Sequence, residues 1–425
     1  MLLRSKTYLL SLLLLSTQIN AAPTEQRLWT ASNGKTVNAS ITAIEGDKVV
    51  MKKDDGKTVK VPITIFIQED QDFIHKHFEA EIAEASKPSG SDSQPATDLP
   101  HPQGEVVGPI EASNGAHYLL YLPKSLKQGR KAPLMFYTHS GGGNKNLLNT
   151  ISEGAETCGW ILAISVESKN KNDFQDNLKK CQSCLEHIYE TLPVEKERTY
   201  FMGNSGGGAM AFANSAENKC TGAMPNVGYI PDGHDPKGKD YFIIGGGKDY
   251  NRYTSAHANK KLGKKAIHRM HPGGHGVSPK WLMIDGMIWL QTRYLAREQK
   301  DHMDEAADFE VSMLNWINEL KAKEPYRAYA TAKLLLSEYE PTSKNKAAIE
   351  SISDELGKEK TNVLYYEALQ DINDLSEDVL SGFGSGSKMK HSDPKVIKAV
   401  DKLLKKYTGV PIIEDTLKAI ADKTV

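Results

Sequence analysis

Only four of the 425 residues are cysteine, and the charges almost cancel: 53 Lys plus Arg against 54 Asp plus Glu, a net charge of −1. Such a balance supplies no summed field to hold nucleic acid or an anionic membrane, so function must rest on local chemistry. Long apolar runs are also missing. The Leu-rich run at residues 8–15 is about eight residues against the roughly 20 that a spanning helix needs, and no later stretch approaches that length. No membrane span is expected. There is no Gly-rich nucleotide loop followed by an acidic residue at the right distance, and no His/Asp cluster at ligand spacing, so neither cofactor nor metal is expected. Cys181 and Cys184 form a C-x-x-C with no second pair at zinc spacing, in a stretch that reads as an amphipathic helix. A structural role follows, as packing thiols or as a bridge to Cys158 or Cys220; four cysteines allow three pairings, and the sequence does not choose.

What is present points to a folded protein. Hydrophobic residues make up 39%, with five Trp, ten Phe and seventeen Tyr, and the length accommodates roughly two to three domains at about 150 residues each. Arg4 and Lys6 precede the Leu-rich run, and Ala21-Ala22 closes the polar stretch behind it. That order of charged, apolar and small residues is a secretory signal peptide over residues 1–21, which predicts an exported chain, periplasmic or extracellular.

Residues 26–76 alternate in short β-rich runs punctuated by Asn33-Gly34, Glu45-Gly46-Asp47 and Asp54-Asp55-Gly56, each a turn signal between strands. The runs Arg27-Leu-Trp-Thr, Gly56-Lys-Thr-Val-Lys-Val-Pro and Glu69-Asp-Gln-Asp-Phe-Ile resemble the Sla-one homology domain, an SH3-like barrel. The resemblance implies an interaction module with a peptide or protein partner; a passive spacer is the alternative. A charged helical stretch is expected after Ile74. Residues 85–103 are rich in Ser, Pro and Asp and read as a linker. From 104 to 298 strands and helices alternate, which predicts an α/β sheet domain with flanking helices. Residues 299–425 lack glycine from Gly286 until Gly357 and are dominated by Ala, Leu, Glu and Lys, with Pro325 and Pro341 where helices could start. They form a helical C-terminal region.

The strand Arg198-Thr-Tyr-Phe-Met runs into Gly203-Asn204-Ser205-Gly206-Gly207-Gly208 and then an expected helix, a G-x-S-x-G in strand–turn–helix context. Such a turn lifts a serine hydroxyl to the sheet edge, and the helix N-terminus favours developing negative charge. An ordinary Gly-rich turn is the bland alternative. A serine is a poor nucleophile at neutral pH and needs a histidine base, a carboxylate to orient it, and donors for the oxyanion. Asp249 follows the strand that begins at Asp240, and His275, flanked by glycines, follows the strand-like Ala266-Ile-His-Arg-Met. The order Ser205, Asp249, His275 is the one α/β-hydrolases use. His268 and His271 read as packed near the strand, and Asp232 and Asp235 as turn formers. Oxyanion donors are expected at Gly206 and in His139-Ser140-Gly141-Gly142-Gly143, at Gly141 and Gly142, where no Cβ blocks the approach of the main chain.

Together these motifs make residues 104–298 resemble an α/β-hydrolase near the polyhydroxyalkanoate depolymerase, feruloyl esterase and acetyl xylan esterase branch. Ser140 departs from the pattern, standing where many relatives have glycine, and leaves open which N–H groups donate. The resemblance implies hydrolysis of carboxylic esters through an acyl-enzyme. Only about ten residues separate Gly228 from the strand at Asp240, too few for a lid domain, so polymer-attached or water-soluble esters, polysaccharide- or polyester-linked, are favoured over lidded lipase chemistry. A serine peptidase and a non-catalytic scaffold are the competing readings.

Overall fold

The computed structural model describes residues 26–31, 35–45, 48–78, 99–383 and 393–422. The signal-peptide expectation at 1–21 and most of the linker expected at 85–103 lie outside them. The chain divides into two units, Met1–Ala96 and Thr97–Val425.

In the first unit, strands β1 (Arg27–Thr30), β2 (Thr36–Glu45), β3 (Lys48–Lys53) and β4 (Thr58–Pro62) form one antiparallel sheet in chain order. Alternation in β3 turns Val49 and Met51 inward against Trp29, Ile41 and Phe66. Helix α1 (Gln68–His77) begins earlier than the charged stretch expected after Ile74, because Ile74 itself is needed on its buried face. Asp70, buried in α1, pairs with Arg27 at 2.6 Å and accepts the Thr30 N–H at 2.7 Å, fastening the helix to β1.

The second unit holds an eight-stranded sheet. Its strands are β5 (Val106–Glu111), β6 (His117–Tyr121), β7 (Ala132–His139), β8 (Ile161–Ser165), β9 (Val194–Asn204), β10 (Gly222–Asn226), β11 (Asp240–Gly246) and β12 (Ala266–His271), ordered β12-β11-β10-β9-β7-β8-β6-β5. β6 is antiparallel to both neighbours, and all pairings from β8 through β7 to β12 are parallel. Helices α2 (Lys145–Cys158), α3 (Phe174–Thr191), α4 (Gly206–Glu217) and α5 (Arg252–Leu262) cross between strands, and α6 (Lys280–Glu298) follows the last one. Leu148 of α2 and Met287 of α6 bury against one face of the sheet, and Leu185 of α3 with Phe212 of α4 against the other. Coverage on both faces explains the unbroken apolar runs such as β8, buried at every position.

Two strands, β5 and β10, escape sequence reading because each contains proline. In β10 (Gly-Ala-Met-Pro-Asn) Pro225 has no N–H, and the register with β11 passes from Ala223 to Asn226 without pairing Met224 or Pro225. All four cysteines are free. Cys181 and Cys184 lie on the buried face of α3, and burial pushes the Cys181 thiol up to about 12, which suits inert packing rather than redox exchange.

The helical region packs into this same unit through α7 (Met303–Lys323), α8 (Pro325–Glu338), α9 (Ser343–Leu356), α10 (Lys360–Asp378), α11 (Pro394–Lys406) and α12 (Ile413–Ile420). Pro325 opens α8, where its missing N–H costs nothing. Phe309, Met313 and Leu335 join the apolar cluster of α2 and α6. Arg198, buried at the start of the sheet-spanning part of β9, makes two bonds to Glu305 at 2.5 and 2.7 Å and one to Gln291 at 3.0 Å, which locks the start of α7 to the sheet. Among the described residues no helix is long and apolar enough to cross a membrane.

Candidate active site

At the C-terminal edge of the parallel strands the apolar runs end on polar residues: His139 on β7, Asn204 on β9, Asn226 on β10 and His271 on β12. This is the edge at which open α/β sheets bind ligands. Ser205 sits between β9 and α4 at φ +58° and ψ −120°, a conformation that a side chain adopts only when its surroundings hold it there. The flanking glycines do so. A Cβ on Gly203 would lie 1.8 Å from the Gly207 carbonyl oxygen, and one on Gly207 would lie 2.2 Å from that of Thr138. The Ser205 N–H donates to Asn226 O at 3.0 Å, so β10 pins the turn from the other side.

Ser205 Oγ lies 2.7 Å from His275 Nε2, and His275 Nδ1 lies 2.9 Å from Asp249 Oδ1. The three residues drawn from distant points of the sequence therefore meet in one hydrogen-bonded line. Asp249 is fully buried after β11, and its Oδ1 also accepts the Asn251 N–H at 2.9 Å. Asn251 Nδ2 in turn donates to Val227 O at 2.9 Å, tying the acid loop to the end of β10. Tyr250 stacks on the His275 ring with centroids 4.5 Å apart and planes 24° apart.

His271, only four residues before His275, is kept out of this line. It is buried, its Nδ1 accepts the Gly273 N–H at 3.1 Å, and its Nε2 faces Ser278 Oγ at 3.4 Å. Burial holds its pKa down to about 4 although Asp249 pulls upward, so it stays neutral. His268 is deeper still, bonded through Nδ1 to Ser376 Oγ at 2.6 Å, with burial depressing it to about 3. Asp232 and Asp235 lie on the short connection between β10 and β11, and Asp235 pairs with Lys237 at 3.3 Å. A buried polar layer supports the turn: Ser278 Oγ donates to Asn226 Oδ1, and Asn226 Nδ2 to Asn204 Oδ1, both at 2.6 Å.

The Gly-rich loop behaves differently from the sequence expectation. The Gly141 N–H donates to His139 Nδ1 at 3.0 Å and the Gly142 N–H to His139 O at 2.9 Å, because the loop closes on itself as a tight turn. Gly142, at φ +89°, must be glycine for another reason: a Cβ there would lie 2.6 Å from the Val166 carbonyl oxygen. The loop residues that line the cavity over Ser205 are His139 and Ser140. Ser140 is fixed from behind, since its carbonyl accepts the Asn170 N–H at 2.9 Å. Gly206, the first residue of α4, also lines the cavity, with the Asn170 side chain directly against its Cα.

The cavity measures about 420 Å³ and is polar, lined by Ser168, Lys169, Asn170 and Asn172 together with Tyr229 and Tyr250. The two tyrosines are 45% and 39% exposed, so its mouth is open. Sequence reading missed Tyr250, Asn251 and Asn226 as supporting residues, and it noticed Ser140 only as a departure in the Gly-rich loop; of these, Asn226 is the polar end of a strand. Among the described residues no group of His, Cys, Asp and Glu could hold a metal.

Comparison with known proteins fits this division of the chain. Residues 17–82 match SLA1 homology domain 1, SHD1. The first unit carries this domain. The second has the α/β-hydrolase fold, given by its strand order and by the serine turn between the fifth strand of the sheet domain and the helix that follows. It is similar to an esterase from Pyrobaculum calidifontis, at 14% identity over 47% of this chain and 86% of that one, with a TM-score of 0.38. An S-formylglutathione hydrolase from Staphylococcus aureus is similar at 14% identity, over 41% and 90% of the two chains, with a TM-score of 0.34. A ferulic acid esterase gives 14% identity, 43% and 94% coverage and a TM-score of 0.34. No curated protein matches the chain. Activity and substrate are therefore argued from the site itself.

Proposed function

We propose that the protein is an exported serine hydrolase that cleaves carboxylic esters through an acyl-enzyme. The observation that carries this reading is the unbroken line from Ser205 Oγ through His275 to buried Asp249, at 2.7 and 2.9 Å, on a serine held at φ +58°. Asp249 accepts a hydrogen bond from Nδ1–H, which keeps the proton on Nδ1 and leaves Nε2 as the base. Ser205 Oγ attacks the ester carbonyl as its proton passes to Nε2, and the carbonyl electrons move onto oxygen. Gly206 N–H and Ser140 N–H are assigned as the oxyanion donors, since Gly141 and Gly142 are already bonded within their loop. Collapse of the tetrahedral intermediate breaks the bond to the alcohol, which leaves with the Nε2 proton. Water, deprotonated by the same nitrogen, then releases the acid and restores Ser205.

The polar, open cavity supports hydrophilic esters, soluble or attached to a polymer, over long-chain lipids. The charged, apolar and small-residue order of residues 1–21 supports export, and the SHD1 match supports a protein or peptide partner for the first unit. Labelling of the full chain with a fluorophosphonate probe tests the chemistry. Labelling that disappears in Ser205→Ala and His275→Ala is expected; an unlabelled, folded parent chain would sink the proposal. Activity that rose steeply only above the micellar threshold of a long-chain ester would overturn the substrate class.

A further inference from the structure

A second cavity, of about 480 Å³, lies within Thr97–Val425 between the β12 edge of the sheet, α6 and the helical region, away from Ser205. Its volume falls in the range of small-molecule sites. The walls are largely apolar and aromatic, with Trp281 and Trp289 from α6, Leu334 from α8, and Tyr366 and Leu369 from α10.

The charges that line it are not equivalent. Asp285 is held by Arg327 at 2.7 Å, Glu338 by Arg293 at 3.1 Å, and Glu367 and Asp371 by Lys406 at 3.3 and 3.1 Å. Every carboxylate in the wall therefore already faces a cation. Arg269, projecting from β12, differs: its guanidinium makes one bond, from Nη1 to the Leu369 carbonyl at 3.1 Å, and among the described residues no carboxylate lies within 4 Å of it. Asp285 and Glu338 act on it only through space, and burial works against its charge. A guanidinium offers five donors in a planar fork matched to a carboxylate, so most of this one's capacity is open toward the cavity.

We propose that this cavity is a second binding site, for a small monocarboxylate with an aryl or alkyl body, its carboxylate on Arg269 and its body against Trp281, Trp289 and Leu334. The apolar wall removes the body from water, and the fork selects the acid over a neutral analogue of the same shape. The proposal rests on none of the assignments at Ser205.

Calorimetric titration of the full chain with 4-phenylbutyrate, and separately with 4-phenylbutanol, tests it. One acid per chain is expected, bound at least about tenfold more tightly than the alcohol. Arg269→Gln should weaken the acid by about the same factor and leave the alcohol unchanged, Ala330→Trp should block both by filling the cavity, and Ser205→Ala should bind as the parent does. Equal affinity for acid and alcohol, undiminished acid binding by Arg269→Gln or Ala330→Trp, or no binding by the parent up to about 5 mM would each overturn the proposal. Should Arg269→Gln fail to fold, as read by circular dichroism, the acid-to-alcohol ratio of the parent and the Ala330→Trp result still decide it.

Discussion

Directly above the C-terminal edge of the sheet lie Ser205, Asp249 and His275; directly beneath the serine turn lie Asn204, Asn226, Ser278 and His271. The two layers use similar residue types, and each has a histidine, from the end of β12 or the loop after it, yet physical chemistry separates them. In the upper layer His275 is 26% exposed and bonded to both a hydroxyl and a carboxylate, so a proton can move through it. In the lower layer every group is buried and neutral, and each hydrogen bond holds another residue in place. Reaction needs access and a change of charge, whereas positioning needs burial and constancy of charge.

If this contrast is right, substitutions in the upper layer remove rate without removing stability. Ser205→Ala and His275→Ala are expected to lower kcat by on the order of 10⁶ and Asp249→Asn by about 10⁴, with little change in Tm. Hydrolysis of a soluble acetyl ester and thermal unfolding of the same preparations measure both. A large loss of stability in Ser205→Ala would break the distinction. In the lower layer Asn226→Leu should do the reverse in proportion, costing about 2–4 kcal/mol of stability by stranding Asn204 Oδ1 and Ser278 Oγ. Its kcat should fall as well, because the Asn226 carbonyl anchors the Ser205 N–H and the bulkier side chain shifts it. Denaturant titration paired with kinetics reads both effects.

The lower histidine also sets a pH dependence. Burial lowers His271 to about 4 in the folded chain against about 6.5 unfolded, so the unfolded chain binds the extra proton first. Its contribution is therefore complete above pH 6.5 and is lost as pH falls toward 4, by about 3 kcal/mol. His268, depressed to about 3 by burial, extends the same loss to lower pH. His271→Asn should flatten unfolding free energy measured between pH 6.5 and 4. An unchanged slope would mean that His271 does not stay neutral.

The legibility of these layers in the sequence follows the same division. Ser205, Asp249 and His275 stood out because the chemistry proposed for them demands a tight turn, strand-end loops and a fixed order along the chain. The five strands β6, β7, β8, β9 and β11, which run as apolar blocks, were legible for the parallel reason that burial on both faces admits little else. β10 was not, since Pro225 contradicts a central strand, and with it went Asn226, whose importance lies in what β10 touches. The Gly-rich loop was legible as a loop but not in the hydrogen bonds that close it. Glycine at 142 serves a left-handed turn packed against the Val166 carbonyl, and which N–H faces the cavity depends on how the turn closes. The helical region was readable as helices from its composition, while its part in the core, through Phe309 and Met313 and the Arg198–Glu305 bonds, depends on long-range partners that no local pattern announces.

Tyr250 lies at the boundary of the two layers, and the smallest expected effect is there. Its ring stacks on His275 yet is 39% exposed, so it neither exchanges a proton in the proposed reaction nor belongs to the buried network. An aromatic face against an imidazolium favours the charged form by about 0.5–1 kcal/mol at an exposed site. In the proposed reaction His275 takes up the serine proton as the tetrahedral intermediate forms, so this preference acts on the barrier. Tyr250→Ala should therefore lower kcat by about two- to fivefold, with KM for a small acetyl ester and Tm nearly unchanged, and Tyr250→Phe should restore the parent rate. If KM rose while kcat held, Tyr250 would instead be part of the wall that binds the ester, and the stack on His275 would have no role in the barrier.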